Sequence, residues 1–336
     1  MIAAGLWSGL GIDLGTANTV VAHPRRGLVL NEPSVMVVRA DDHKRRRPML
    51  IGAEARELIG RVPDGLAAVH PLRDGVVTDL QLTRAFIVAI LRRVTARQWE
   101  RWWSRAVIGF PTGATALERR ALVEAAQEAG IRNAALVPEP VAGALGTGVD
   151  PLDSRAHMVV DVGGGTAEAT CFCFGGILAS RSCRVAGDEM TLALSQHLRE
   201  EHQVVVGELT AEDLKARLAD GSGPIVVEGQ DAASNRARLV TLDPDELADA
   251  IRPTLDSVLK TLGDCLEDLP PQPVGDILHE GLVVFGGGSL LRGFDRRLEE
   301  TFGFPVRVVE RPLTCVAEGA AACLRRPEVI DAYGQT

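Results

Sequence analysis

Short apolar runs alternate with amphipathic segments along most of the chain. Strands are expected at 107–111, 134–140 and 281–291, and helices are expected over about 117–129, 191–201, 245–266 and 314–324 and from about residue 141. Strands separated by helices predict a mixed or parallel sheet that is covered on both faces. The expected fold class is therefore α/β.

Two segments of the chain share one plan. Residues 11–23 and 159–174 each contain an apolar strand with an aspartate near its end, a turn rich in Gly and Thr, and a second β-rich strand. Backbone N–H groups in such a turn can approach a phosphate closely, and a carboxylate at the strand end can hold Mg²⁺ through water. One copy alone is more typical of a plain hairpin. Two copies predict a duplicated α/β fold with a phosphate clamp, formed around Asp13 and Asp161, in the cleft between the halves.

Two other segments carry weaker signals. The GGGSLL run at 286–291 follows an apolar strand, so it is compatible either with a turn that packs a flat ring or phosphate against bare backbone or with a plain loop. Glu212 and Lys215 are expected to open a helix for which Thr210 is a candidate N-cap. Without further context, these two residues are typical of a surface ion pair.

Composition narrows the classes of function. The 336 residues are 46% hydrophobic and 24% charged with a net charge of −9, which excludes disorder and argues against nucleic-acid binding. The six cysteines lack CxxC spacing, which indicates a reduced, cytoplasmic protein. No lysine follows a glycine, which excludes a P-loop, and no apolar run is long enough to span a bilayer. The seven histidines lack metal-ligand spacing, so ordinary surface or core roles are expected for them.

Three of the four tryptophans fall close together between an expected helix and an expected strand. Trp99, Trp102 and Trp103 are surrounded by positive charge, from Arg92, Arg93, Arg97, Arg101 and Arg105. Tryptophan favours the bilayer interface, and anionic headgroups attract arginine, so the cluster predicts a membrane-inserting patch. Leu6 and Trp7 are candidates for a second contact. The alternative is a helix face that covers a core or binds a partner.

Eight motifs in order along nearly the whole chain resemble the MreB family of bacterial actin homologues, including its Mbl-like paralogues. They are DLGTANT (13–19), LNEPSV (30–35), HPLRDGVVTD (70–79), ERRAL with EAAQEAG (118–130), EPVAGALGTG (139–148), DVGGGTAE (161–168), VFGGGSLLRGFD (284–295) and PLTCVAEGAA (312–321). The resemblance implies a duplicated ribonuclease-H-like actin fold. Its two domains would span 1–148 and 149–336 around a nucleotide cleft, with small subdomains at about 30–75 and 190–250.

The resemblance also implies the residues that bind ATP and Mg²⁺. Asp13 and Asp161 would hold Mg²⁺ through water, and Glu139 would position the attacking water, so these three form the expected catalytic set. The expected nucleotide contacts are Gly15, Thr16, Ala17 and Asn18 in the first turn, Gly163, Gly164, Gly165 and Thr166 in the second, Glu212 and Lys215 at ribose and adenine, and Gly286, Gly287, Gly288, Ser289, Leu290 and Leu291 at the adenosine. Pro138 and Pro140 flank Glu139, which is expected to stiffen the strand end there.

The function implied by the resemblance is an ATP-dependent, membrane-associated filament protein that organises cell-wall synthesis and cell shape. Monomers would join head to tail, in single or paired protofilaments, and slow hydrolysis of ATP to ADP and phosphate would weaken the polymer. The expected partners are further copies of the chain, the inner face of the cytoplasmic membrane, and cell-wall elongation proteins such as RodZ and MreC. The alternatives are a small-molecule kinase or a chaperone-type ATPase of the same fold.

Overall fold

The computed structural model describes residues 9–40, 48–73, 76–77, 79–94, 105–220 and 223–334. The elements of the first half are β1 (Gly9–Leu14), β2 (Asn18–His23), β3 (Gly27–Pro33), β4 (Met36–Arg39), β5 (Leu50–Ile51), α1 (Ala53–Arg56), β6 (Leu66–Val69), β7 (Leu72–Arg73), β8 (Val76–Val77), α2 (Leu80–Val94), β9 (Arg105–Phe110), α3 (Ala116–Glu128), β10 (Asn133–Pro138) and α4 (Glu139–Gly146).

The second half continues the alternation of strands and helices. Its elements are β11 (His157–Val162), β12 (Ala167–Cys173), β13 (Gly176–Cys183), α5 (Gly187–Glu201), β14 (Val204–Val205), α6 (Glu208–Asp220), β15 (Ile225–Asp231), β16 (Ala237–Leu242), α7 (Pro244–Glu267), α8 (Pro271–Glu280), β17 (Leu282–Phe285), a 3₁₀ turn (Gly287–Leu290), α9 (Phe294–Phe302), β18 (Val306–Val308), α10 (Cys315–Cys323) and α11 (Pro327–Tyr333). Among the helices in the described ranges, none combines the length and apolarity needed to cross a bilayer.

Each half builds one five-stranded mixed sheet, and the two sheets have equivalent strand orders. The orders are β10-β9-β1-β2-β3 and β18-β17-β11-β12-β13. The central strand of each sheet, β1 or β11, runs parallel to one neighbour and antiparallel to the other. These central strands are the ones that carry Asp13 and Asp161. The duplicated α/β fold expected from the sequence is confirmed.

Helices cover both faces of the first sheet because successive side chains of a strand point to opposite sides. On β9, Ile108 packs in the core formed with α2 and α3, whereas its neighbour Val107 packs in the core formed with α4 and α10. This pattern explains why β9 is buried on both faces beyond its first residue. The apolar runs that predicted the strands therefore report burial on both sides.

Helix α10 lies in the second half of the sequence but packs on the first sheet. A Cβ added to Gly11 of β1 would lie 2.1 Å from the Ala321 amide nitrogen, so the helix rests directly on the strand backbone. The same helix crosses α4 at Gly319, where a Cβ would lie 1.7 Å from the Ala142 carbonyl oxygen. Glycine is required at both positions because any side chain would separate the packed backbones.

Two element boundaries differ from the sequence-based expectation. Helix α6 begins at Glu208, so Thr210 lies inside the helix and is not its N-cap. Glu139 is the first residue of α4, with Pro140 in the first turn, where the missing N–H of proline costs no helical hydrogen bond. Pro140 therefore opens a helix next to Glu139, whereas the sequence suggested a stiffened strand end.

Candidate functional site

A cavity of about 810 Å³ lies in the cleft between the two five-stranded sheets. The sequence-predicted residues that line it are Asp13, Gly15, Thr16, Ala17, Asn18, Glu139, Asp161, Gly163, Gly164, Gly165, Thr166, Glu212, Lys215, Gly286, Gly287, Gly288, Leu290 and Leu291. Ser289 is not among the lining residues. Its hydroxyl is buried and donates to the Gly286 carbonyl oxygen at 2.7 Å, so it holds the turn from within.

The first glycine turn, between β1 and β2, is held from behind by Ser34. The Ser34 hydroxyl donates to the Gly15 carbonyl oxygen at 2.6 Å, and its backbone N–H donates to the Ala17 carbonyl oxygen at 2.9 Å. The buried Thr19 hydroxyl lies 2.8 Å from Ser34 Oγ. Sequence reasoning did not select Ser34, although it belongs to the LNEPSV motif. Its contacts fix the carbonyl groups of the turn away from the cavity.

The second turn, between β11 and β12, rests on the beginning of α5. Gly163 N–H closes the turn by donating to the Thr166 carbonyl oxygen at 2.8 Å. The backbone N–H groups of Gly187 and Asp188, in the first turn of α5, donate to the Gly163 and Gly164 carbonyl oxygens at 3.2 and 2.8 Å. Helix α5 therefore fixes the position of the second turn.

The two turns meet across the cleft. A Cβ added to Gly164 would lie 3.0 Å from the Cβ of Ala17 and 3.3 Å from its backbone nitrogen. A side chain on Gly164 would therefore be tight against the first turn, which would have to shift by a few tenths of an ångström. Two turns rich in backbone N–H groups thus face the same cavity, as the repeated sequence plan predicts.

Four carboxylates gather where the central strands end. The pKa of each carboxyl group is raised, and burial is the largest cause in all four, which are Asp13, Asp161, Glu139 and Glu168. The pKa of Asp13 is raised to about 7. Repulsion adds to the effect, since Asp13 and Glu168 raise the pKa of Asp161, and all three raise that of Glu139. A divalent cation at this point would offset the repulsion.

Glu168 is a member of this group that sequence reasoning did not select. It lies directly opposite Asp161 in the antiparallel β11–β12 pair, so the two side chains project from the same face. Its Oε2 accepts from the Thr112 backbone N–H at 3.1 Å, while its buried Oε1 has no hydrogen-bond partner within the described ranges. A buried acceptor without a partner is costly and fits a site that takes a cation or its water shell.

The glycine run at 286–291 forms a 3₁₀ turn against the end of β11. Gly286 has φ +81°, and a Cβ there would lie 2.4 Å from Asp161 Oδ1. A Cβ on Gly288 would lie 2.3 Å from Val162 Cγ1. Only bare backbone fits this approach, and the exposed side chains of Leu290 and Leu313 add apolar surface to the cavity lining. The combination suits a flat apolar ring.

Glu212 and Lys215 both line the cavity from α6, but their contacts differ. The half-buried Lys215 ammonium donates to the Gly187 carbonyl oxygen and to Thr191 Oγ1, each at 2.9 Å. Burial lowers the pKa of Lys215 despite nearby carboxylates. Lys215 therefore ties α6 to the first turn of α5, on which the second glycine turn rests.

Two contacts join the first half of the chain to α6. The Arg56 guanidinium at the end of α1 lies 3.2 Å from a carboxylate oxygen of Glu212, and His70 Nε2 lies 3.7 Å from one of Glu208. Arg56 also lines the cavity. Sequence reasoning did not select Arg56, because nothing in the local pattern pairs it with a residue 156 positions later.

The family model described as MreB/Mbl protein matches residues 8–332. The chain belongs to the MreB/Mbl family. The cell shape-determining protein MreB of Escherichia coli is 38% identical to this chain over 331 residues. The match covers 97% of this chain and 94% of that protein. The cell shape-determining protein Mbl of Bacillus subtilis is 34% identical over 320 residues, covering 94% and 95%.

Solved structures of an MreB protein superpose on this chain. MreB5 of Spiroplasma citri bound to ADP superposes with a TM-score of 0.88 at 27% identity, covering 96% of this chain and 97% of that one. The same protein bound to AMPPNP superposes with a TM-score of 0.86 at 27% identity, covering 95% and 96%. The expected actin-like fold is thereby confirmed. The predicted tryptophan patch, Trp99, Trp102 and Trp103, lies outside the described residues, as do Leu6 and Trp7.

Proposed function

We propose that this MreB/Mbl member binds ATP with Mg²⁺ in the cleft. The observation that carries the proposal is the meeting of two glycine turns, one from each sheet, in a single cavity with a strand-end aspartate beside each. Backbone N–H groups of residues 15–18 and 163–166 would bind the phosphates, and the 286–291 turn with Leu313 would pack on the adenosine. MreB5 of Spiroplasma citri, which shares the fold, was solved with ADP and with AMPPNP.

The carboxylate group fits a hydrated Mg²⁺. This ion keeps several waters and is held by one or two carboxylates together with substrate phosphates. Asp13 and Asp161 would hold it through water, while Glu168, whose Oε1 has no hydrogen-bond partner among the described residues, would accept from one of those waters. When bound, the ion neutralises charge on the transferred phosphoryl group.

Slow ATP hydrolysis is part of the proposal. Glu139 stands at the start of α4 and lines the cavity with Asp13 and Asp161. Its role would be to orient the attacking water, which phosphoryl transfer needs more than strong proton removal. The start of α4 would hold Glu139 in place relative to the phosphate turns.

At the scale of the cell, we propose an actin-like cytoskeletal filament of cytoplasmic location that contributes to cell shape and cell-wall synthesis. The relatives in Escherichia coli and Bacillus subtilis are both named cell shape-determining proteins. Copies would join head to tail through a heterologous contact, and RodZ-like and MreC-like elongation proteins would be further partners. A small-molecule kinase or chaperone-type ATPase of the same fold is the competing hypothesis.

An ATP-dependent pelleting assay tests the filament. The wild-type protein is expected to sediment with Mg-ATP and to stay in the supernatant without nucleotide, whereas a kinase or chaperone stays there in both cases. Asp161→Ala removes a metal-organising carboxylate, so nucleotide binding and sedimentation are both expected to be lost. Glu139→Ala is expected to sediment and to release phosphate about 100-fold more slowly, a typical effect of losing a positioned proton-transfer or water-orienting group.

Two results would count against this reading. Unchanged sedimentation and phosphate release in Asp161→Ala would reduce the second turn to a structural hairpin. Faster phosphate release in Glu139→Ala would contradict water positioning. Circular dichroism of both variants separates loss of function from loss of fold.

We propose that membrane association is provided by Trp99, Trp102, Trp103 and the surrounding arginines. The helix that precedes this segment, α2, ends at Val94, and β9 follows from Arg105, so the segment connects two well-packed elements. Tryptophan at the interface and arginine at anionic headgroups would each contribute a weak contact, which polymerisation multiplies. The net charge of −9 does not oppose this, because the positive charge is local.

Liposome co-sedimentation tests the membrane contact. With ATP and vesicles containing anionic lipid, a variant with serine at all three tryptophans is expected to lose lipid binding and keep polymerisation. The matched control replaces Arg236, just before β16, and Arg238, within β16, with alanine and is expected to bind lipid normally. Normal lipid binding by the tryptophan variant, or its failure to fold, would instead assign the rings to a core or a protein partner.

A further inference from the structure

A cluster of two histidines and one glutamate lies outside the nucleotide cavity. His197 and His202 sit at the C-terminal end of α5, and Glu246 sits in the first turn of α7. Both imidazole Nε2 atoms lie 2.6 Å from the same carboxylate oxygen, Oε1 of Glu246. The three potential ligand atoms all lie within 4.8 Å of one another.

The geometry of the helix end brings the rings together. Side chains five residues apart on a regular α-helix point about 140° away from each other, so the pair would not share a face in mid-helix. Here α5 ends at Glu201, His202 is its C-cap, and Gln203 adopts a left-handed conformation with φ +55°. The two rings approach edge to face, with centroids 5.8 Å apart. This is why the sequence spacing gave no indication of a metal site.

The donor set is that of an open zinc site. Zinc in proteins takes imidazole nitrogen and carboxylate oxygen at about 2.0 to 2.2 Å, and two histidines with one glutamate leave a fourth position for water. Ligands on one tetrahedral ion lie roughly 3.3 Å apart, so the separations seen here need only small side-chain rotations. Each imidazole would carry its proton on Nδ1, which leaves the Nε2 lone pair free for the metal.

The three side chains are also accessible enough to load. Their exposed fractions are 20%, 24% and 34% for His197, His202 and Glu246, so the cluster is partly buried but reached by solvent. A neutral imidazole pair and one carboxylate leave a bound Zn²⁺ with a net charge of about +1, which an acidic protein tolerates well. Within the described ranges, these three side chains are a group of histidine and acidic residues whose ligand atoms are close enough for one metal ion, at a place separate from the cleft carboxylates.

We propose that His197, His202 and Glu246 form a Zn²⁺ site that fastens the end of α5 to the beginning of α7. The opposite end of α5 holds the second glycine turn through Gly187 and Asp188, about 20 Å away along the helix. The metal would therefore support the helix on which that turn rests without entering the cavity. The alternative for the same geometry is a metal-free cluster in which both imidazoles donate to Glu246.

Metal titration of the untagged, chelator-treated full chain tests the site. Zn²⁺ competed against a chromophoric chelator is expected to bind with one equivalent per chain, and Co²⁺ is expected to give the strong visible absorption of a tetrahedral ion. His197→Asn and Glu246→Gln should each weaken Zn²⁺ binding at least about tenfold, since even residues that only orient metal ligands contribute that much. His279→Asn, an exposed histidine on α8, is the matched control and should bind as the wild type does.

Thermal unfolding provides a second readout that does not depend on nucleotide. Zn²⁺ is expected to raise the unfolding midpoint of the wild type and of His279→Asn, and to raise that of Glu246→Gln by less at the same Zn²⁺ concentration. Failure of the wild type to bind one equivalent would overturn the proposal in favour of the hydrogen-bonded cluster. Equal Zn²⁺ binding by all variants would overturn the proposal, because other residues would then hold the metal. If a variant fails to fold, the wild type still tests the proposal, because the absence of one Zn²⁺ equivalent or of the tetrahedral Co²⁺ spectrum would overturn it.

Discussion

The carboxyl group of Asp13 makes stability and function oppose each other. Burial raises its pKa to about 7 in the protein without bound metal, against about 4 in an unfolded chain. Between these values the folded state holds a proton that the unfolded state has lost. The contribution of Asp13 to the free energy of unfolding is therefore fully present at low pH and is lost as pH rises through about 7.

Asp13→Asn is expected to remove this loss. Because asparagine does not ionise, the nucleotide-free variant should be more stable than the wild type at pH 8 by on the order of 1 to 2 kcal/mol, a few degrees in unfolding midpoint. The difference in stability between variant and wild type should shrink towards pH 5. Nucleotide binding by the variant should be weaker than that of the wild type at both pH values. Thermal unfolding of both proteins at the two pH values is the measurement. A gain of equal size at pH 5 and pH 8 would exclude ionisation as its cause.

At this scale, local sequence predicts some side chains and misses others for physical reasons. Asp13 and Asp161 were predictable because an aspartate at a strand end next to a glycine turn is a local pattern. Glu168 required the β11–β12 register, which pairs it with Asp161. The family resemblance places the whole 286–291 run, Ser289 included, at the adenosine, whereas the Ser289 hydroxyl is turned inward to Gly286.

Among the elements, the crossing of α4 and α10 offers a sharp test. In Gly319→Ala the new Cβ would lie 1.7 Å from the Ala142 carbonyl oxygen, so one helix must move. We expect a loss of about 3 kcal/mol or more, which outweighs the helix propensity gained by alanine. Gly275→Ala in α8, where a Cβ meets nothing within 4 Å, is the matched control and should gain about 0.5 to 1 kcal/mol.

Denaturant unfolding of the two alanine variants gives the comparison. If both change stability by the same amount, the close crossing does not constrain the fold.

Sequence periodicity placed most helices correctly but not all of their ends. Helix α6 begins at Glu208, before the capping residue that local sequence indicated, because cap preferences are weak compared with tertiary packing.

At the scale of the whole molecule, the ion pair between Arg56 and Glu212 crosses the mouth of the cavity. Both side chains are more than a third exposed, so the pair contributes at most about 1 kcal/mol. Arg56→Ala should therefore release a fluorescent ATP analogue about two- to fivefold faster in stopped-flow measurements. Added salt should bring the wild-type rate towards that of the variant.

Arg120→Ala controls for the loss of an arginine. Arg120 pairs with Glu124 on the same helix, α3, and spans no cleft, so its removal should leave nucleotide release unchanged. Equal rates for Arg56→Ala and wild type would mean that the mouth opens without breaking the pair.

The motif order predicted the architecture of the molecule. Contacts between its halves depend on how the two sheets are placed, and no local sequence pattern contains that information.

The packing of α10 on the first sheet has a consequence for the order in which the protein is made. The strands of that sheet are complete once residue 138 has been synthesised, but the helix that covers Val20, Ala22 and the bare backbone of Gly11 ends only at Cys323. At 5 to 20 residues per second, a ribosome needs on the order of 10 to 35 s to add the intervening chain. For that interval the part of the sheet face that α10 covers lacks its helix, so nascent chains of this protein are expected to depend on a chaperone that shields it until α10 is made.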